Sequence, residues 1–180
     1  VNSPFGLGTG SLRLDQGAAV QFYYTSPTIG SLLQGDPSNG EGAHAAALQL
    51  YGDGFAQVLT INQTEDGYFS GAIVEDSSVG SLVKTGPGTL TIYGDYDGYH
   101  GGSVYSGGTT ILQGKLVADS AGALGTGTIT LNGGTLGTAP GVTLDNPINF
   151  MSGILTGNTT FASLISVGSG AALSPGNSPG

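Results

Sequence analysis

Aliphatic residues in this chain come in short alternating words. Leu12 and Leu14 alternate with Ser11, Arg13 and Asp15, and Leu48 and Leu50 flank Gln49. Leu90 and Ile92 alternate with Thr89, Thr91 and Tyr93, and Ile129 and Leu131 with Thr128 and Thr130. A period of two puts the aliphatic set on one face of a strand and the threonines on the other. Further words run over residues 58–61, 68–73, 109–112, 142–144, 148–150 and 164–167. By these signals the chain carries roughly 15 to 18 short strands. Gly, Asn, Asp and Pro lie between them and turn the chain cheaply. The Ala-rich stretch 43–47 could start a helix but is too short to stand alone. Residues 35–42 read as a protruding loop, and the Gly-, Tyr- and Asp-rich run 93–106 as a second excursion. No linker splits the chain, so residues 1–180 are expected to form a single segment.

A longer-range pattern overlies these words. Leu7-Gly8-Thr9-Gly10 leading into Ser11-Leu12-Arg13-Leu14 matches Leu124-Gly125-Thr126-Gly127 leading into Thr128-Ile129-Thr130-Leu131, 117 residues later. Repeated short strands with Gly turns predict a solenoid or a propeller, in which neighbouring units share a core.

Composition narrows the function classes. Gly supplies 35 of the 180 residues, and charged residues only 8%, against about 25% in an ordinary soluble domain. No apolar window approaches the roughly 18 residues of a spanning helix. The net charge is −9, with Arg13, Lys84 and Lys115 as the whole cationic complement. Three cations cannot neutralise a nucleic-acid backbone or dock on an anionic membrane, so neither partner is expected. The absence of cysteine excludes disulfides, thiolate metal sites and Cys nucleophiles. The chain opens at Val1 without a basic-then-apolar signal segment, which reads as a mature or excised portion.

One family shares these words. Phe69-Ser70-Gly71-Ala72-Ile73, then Leu82-Val83-Lys84-Thr85-Gly86-Pro87-Gly88-Thr89-Leu90-Thr91-Ile92, then Gly107-Gly108-Thr109-Thr110-Ile111 and Gly114-Lys115-Leu116 resemble the autotransporter-associated β-strand repeat. Ala123-Leu124-Gly125-Thr126-Gly127, Asn132-Gly133-Gly134-Thr135-Leu136 and the closing Leu173-Ser174-Pro175-Gly176-Asn177-Ser178-Pro179-Gly180 are similar to it as well. The resemblance is densest over residues 58–137 and departs from the family pattern at an insertion around residues 95–105. It implies an all-β chain folded as a right-handed parallel β-helix, or β-solenoid, with about three short strands per coil. It also implies export to the outer surface of a Gram-negative-type cell. The expected role is an extracellular stalk or fibre, built by coaxial continuation or by head-to-tail stacking of copies. An adhesin proper is the alternative, and a polysaccharide lyase or hydrolase a lesser one.

Candidate chemistry is sparse. His44 and His100 are the only imidazoles and have no metal-type spacing. Asp95 and Asp97 could offer oxygens to a cation, but no glutamate closes a 12-residue loop around them. Gly176-Asn177-Ser178-Pro179-Gly180 fits G-x-S-x-G, but Pro179 has no N–H to complete an oxyanion hole. A lyase would draw on Arg13, Lys84 or Lys115, which sit in scaffold words with no carboxylate cluster. No catalytic residue, cofactor or metal is therefore expected. The eight tyrosines read first as outer-face strand residues, and as a surface row they could stack on a glycan or a protein. Tyr93, Tyr96, Tyr99 and Tyr105 are the first contact candidates, toward a glycan or a host or neighbouring cell surface. The other expected partner is the chain itself.

Overall fold

The computed structural model describes residues 10–15, 17–34, 46–94, 102–156, 160–169 and 171. Among the described residues there is no helix, and every strand pair is parallel. Parallel neighbours need a long return connection. Here the rest of each coil supplies it, so the chain winds as a β-solenoid, as its words predict.

Three faces can be followed up the coil. The first holds β2 (Ala19–Tyr23), β5 (Ala47–Tyr51) and β8 (Ala72–Asp76), extended by a bridge from Val74 to Val104. The second stacks β3 (Thr28–Ile29), β6 (Gln57–Asn62), β9 (Gly80–Thr85), β11 (Thr109–Ile111) and the first parts of β13 (Ile129–Thr138) and β15 (Ile148–Thr156), ending at β17 (Ile165–Val167). The third begins with β1 (Leu12–Arg13) on β4 (Leu32–Leu33), which lies beside β7 (Gly67–Phe69). It continues through β10 (Thr89–Ile92), β12 (Lys115–Ala118) and the second parts of β13 and β15. A short pair, β14 (Thr143–Leu144) on β16 (Thr160–Phe161), stands apart.

Register explains the alternation. On the second face the inward ladder reads Ile29, Ile61, Lys84, Ile111, Leu131, Phe150, Val167. The ladder beside it, facing out, reads Thr28, Thr60, Val83, Thr110, Thr130, Asn149, Ser166. Stacked aliphatic rungs form one continuous core, and each fully buried Leu, Ile or Phe contributes about 1.5–3 kcal/mol. Polar outer rungs leave the other side to water.

Several local expectations change. Residues 68–73 read as one strand, but the chain turns at Ser70–Gly71 and divides them between β7 and β8. A Cβ on Gly71 would fall 1.9 Å from the Ala46 carbonyl oxygen, so this corner needs glycine. Ala47 opens β5 rather than a helix; residues 43–45 lie outside the described residues, as does the loop 35–42. The strand parts of the words matched at a 117-residue offset are not equivalent: Leu12 lies on the third face and Ile129 on the second. Leu7, Gly8 and Thr9 lie outside the described residues.

Candidate functional site

The tyrosines chosen from sequence do not form one surface. Val74 pairs with Val104, which carries the inward ladder Phe22, Leu50, Glu75 on to Tyr105. Tyr105 is fully buried, and its hydroxyl lies 2.6 Å from Thr109 Oγ1. Burial raises its pKa far above the ordinary phenol value, opposed by that hydrogen bond. Tyr105 is thus a core residue and cannot be a surface contact. Tyr93 is half-buried, with its N–H bonded to Phe69 O. Tyr96, Tyr99, Asp95, Asp97, His100, His44 and Ser178 lie outside the described residues.

Two charged side chains occupy inward positions. Lys84 stands where neighbouring coils carry Ile61 and Ile111, with no exposed surface. Its Nζ donates to the carbonyls of Thr85, Gly86 and Gln113 at 3.0, 2.9 and 3.0 Å. Three acceptors match the three protons of an ammonium. Burial lowers its pKa to about 8, opposed by the charge of Asp66. The alternation of Leu82, Val83, Lys84 was the available signal, because period two places Lys84 with Leu82. Glu75 mirrors it on the first face. Its Oε2 accepts from Gly80 N at 2.5 Å and Ser106 N at 3.0 Å. Both groups satisfy backbone at corners and tie one coil to the next.

The third face carries an open groove of about 470 Å³ lined by Arg13, Gln34, Asp66, Tyr68, Thr89 and Thr91, among others. Arg13 Nε reaches Asp15 at 3.3 Å in an exposed pair, and Tyr68 OH donates to Asp119 at 2.9 Å. Among the described residues no three His, Cys, Asp or Glu side chains gather as metal ligands.

The outer side of the first face is more organised; its tyrosines are among the eight read as outer-face residues, though not among the first contact candidates. Tyr23 and Tyr51 occupy one ladder, their rings stacked 4.9 Å apart and 11° from parallel. Gln21 and Gln49 form the neighbouring ladder, joined by an Nε2 to Oε1 bond of 2.7 Å. Each tyrosine hydroxyl donates to the glutamine of its own strand, at 2.9 and 3.3 Å. A stack at one coil spacing is what parallel in-register pairing makes of two equivalent residues.

This register defines the class: a parallel β-solenoid with organised polar and aromatic ladders on its outer faces. The chain is similar to the adhesin BmaC autotransporter of Brucella suis biovar 1 (strain 1330), 32% identical over 121 residues. The match covers 67% of this chain and 3% of that protein's length. No family model matches, and no solved structure does. Likeness and fold agree with the resemblance seen in the strand words, that of an autotransporter passenger β-helix.

Proposed function

We propose that this chain is a stretch of a rod-like passenger, displayed outside a Gram-negative-type cell as an adhesin-type stalk. The observation that carries the reading is the unbroken stack of parallel coils, followed on the second face from β3 through β6, β9, β11, β13 and β15 to β17. Each coil pairs with its neighbours alone, so such a fold gains length along one axis, by more of the same polypeptide or by a second copy seated head to tail, a contact that does not close on itself. Likeness to a named adhesin supports the cell-surface setting.

Electron microscopy of the native material tests this. Elongated rods or fibres are expected; compact, discrete particles with both ends covered would overturn it. The role is structural and adhesive rather than catalytic. Lys84 is inside the core, and Arg13 and Lys115 belong to different strands of the third face. Turnover of an acidic polysaccharide, lost when these three residues are replaced together, would reverse that part of the reading.

A further inference from the structure

Tyr24, Asp53 and Ser77 are the non-glycine residues with positive φ among the described residues, at 56°, 44° and 54°. All three lie at one corner, just after β2, β5 and β8. Hydrogen bonds stack the corner coil on coil: Tyr24 N to Tyr51 O at 2.8 Å and Gly54 N to Ser77 O at 2.5 Å. Elsewhere this Gly-rich chain meets the same backbone demand with glycine, as at Gly86, Gly114 and Gly125. Positive φ is unfavourable for a side chain, most of all a bulky ring. Side chains kept at a costly conformation point to function at that place.

What the corner displays is chemically coherent. Tyr24 is 62% exposed, 6.5 Å from Tyr23 and tilted 44° to it. Phe55 is 71% exposed on the adjoining turn. The Tyr23–Tyr51 ladder continues into Asp76, an exposed carboxylate. The ring stack therefore ends at Tyr51, and a hydrogen-bond acceptor occupies the next rung. Aromatic faces take the C–H surface of a pyranose, and carboxylates and hydroxyls take its OH groups. None of the three cations stands on this face. Arg13 and Lys115 belong to the third, and Lys84 is buried. Asp53 and Asp76 would repel a sialylated or uronate-bearing chain.

We infer that this corner, around Tyr24, Tyr51, Asp53, Phe55 and Asp76, is a contact site for neutral glycan. The inference deepens the adhesin reading and rests on it. Repetition of the corner in successive coils presents its groups at one coil spacing, which suits an extended oligosaccharide lying along the solenoid axis.

The test applies the whole chain to an array of neutral hexose and N-acetylhexosamine oligosaccharides beside sialylated and uronate-bearing ones. Binding is expected on the neutral set. Tyr24→Gly should weaken it by about tenfold or more, the scale of losing one stacked ring, without lowering Tm, because glycine relieves the positive φ. Asp76→Ala should weaken it independently. Preference for the acidic set, binding indifferent to both substitutions, or a loss that tracks a fall in Tm would overturn the inference. Adherence to target cells is scored in parallel. Adherence that survives Tyr24→Gly overturns this corner and leaves the adhesin reading standing. Adherence that survives deglycosylation of the target but not its proteolysis makes the partner a protein, and again overturns it. A wild-type chain that adheres to no cell sinks the adhesin reading, and the array then judges the corner alone.

Discussion

The middle coils and the last coils of this solenoid solve the same corner in different ways. Between Ile61 and Lys84 one coil takes 23 residues, whereas from Leu131 to Phe150 it takes 19 and from Phe150 to Val167 it takes 17. In the wide coils the strand breaks between the second and third faces, as between β9 and β10 at residues 86–88. In the narrow ones β13 and β15 run through the corner as single strands of 10 and 9 residues, with Gly133 and Gly153 at positive φ near their bends. A broken corner leaves backbone groups pointing away from the ladder, and these need partners. Lys84 is the partner in the wide coil, reaching two carbonyls of its own corner and one of the next. Burial changes toward the last described strand rather than with width. The inward rungs Leu59, Ile61, Leu82, Leu90 and Ile92 of the wide coils and Leu131, Leu136 and Phe150 of the narrow ones are all buried, whereas Ile165 is only partly buried and Val167 is 46% exposed. Ile154, about half exposed, lies on the outer ladder with Lys115 and Thr135. Local stability is therefore expected to fall toward the last described coil.

The largest expected effect breaks or confirms this contrast directly. Leu59→Ala removes a fully buried rung and should cost about 2–5 kcal/mol. Ile165→Ala, at a partly buried rung of the last described strand, should cost less than about 1.5 kcal/mol. Urea unfolding measures both. Hydrogen exchange gives the same gradient locally, with amides of β6 and β9 exchanging more slowly than those of β15 and β17. Equal costs, or uniform protection along the solenoid, would show that the last described coil is held as firmly as the middle ones.

A smaller effect sharpens the role of the charged corners. Lys84→Met and Glu75→Leu each make an inward ladder wholly apolar, which burial alone would favour. Each also strips partners from backbone: the carbonyls of Thr85, Gly86 and Gln113 in one case, the N–H groups of Gly80 and Ser106 in the other. Buried backbone groups left unpaired cost about 1–3 kcal/mol, so both variants should be less stable despite better hydropathy. A gain in stability from either would mean the wide corner does not depend on its charged partner.

These corners also mark where the sequence stops being legible. Strands β6, β10 and the first part of β13 follow from period-two alternation, because burial on one face and water on the other is a local demand. The family words add what periodicity cannot, namely that neighbours are parallel. Tyr105 misleads because it sits in a Gly/Tyr-rich run that looks like a surface excursion. Its inward position depends on the rung shared with Glu75, which only coil register reveals. Strand β2 is absent from the sequence words although its signal is local: Val20 and Phe22 alternate with Gln21 and Tyr23, as Leu48 and Leu50 flank Gln49. The Tyr23–Tyr51 stack exists only once β2 lies on β5. At the corner of Tyr24, Asp53 and Ser77 the Asp53-Gly54 pair is an ordinary turn word, whereas positive φ at Tyr24 and Ser77 has no local signature.

The smallest effect concerns pH and separates two influences on Lys84. Burial holds its folded pKa near 8 against an ordinary 10.5, with Asp66 pulling the other way. Below about pH 8 both folded and unfolded chains carry the proton, so this group adds no slope. Between about 8 and 10.5 the unfolded chain holds a proton that the folded chain has released. Folding stability from this group therefore rises with pH through that window; on lowering the pH the gain is lost between about 10.5 and 8, and stability is flat below. Every other group is common to wild type and Lys84→Met. The difference in unfolding free energy between the two proteins, followed from pH 7 to 9.5, isolates the lysine. The wild-type advantage should be flat at first and then grow above about pH 8. Growth would mean that desolvation outweighs the three carbonyls and Asp66. An advantage that shrinks with rising pH would mean that the carbonyls hold the ammonium more firmly than water does, and that this corner of the wide coil is built around a permanent charge.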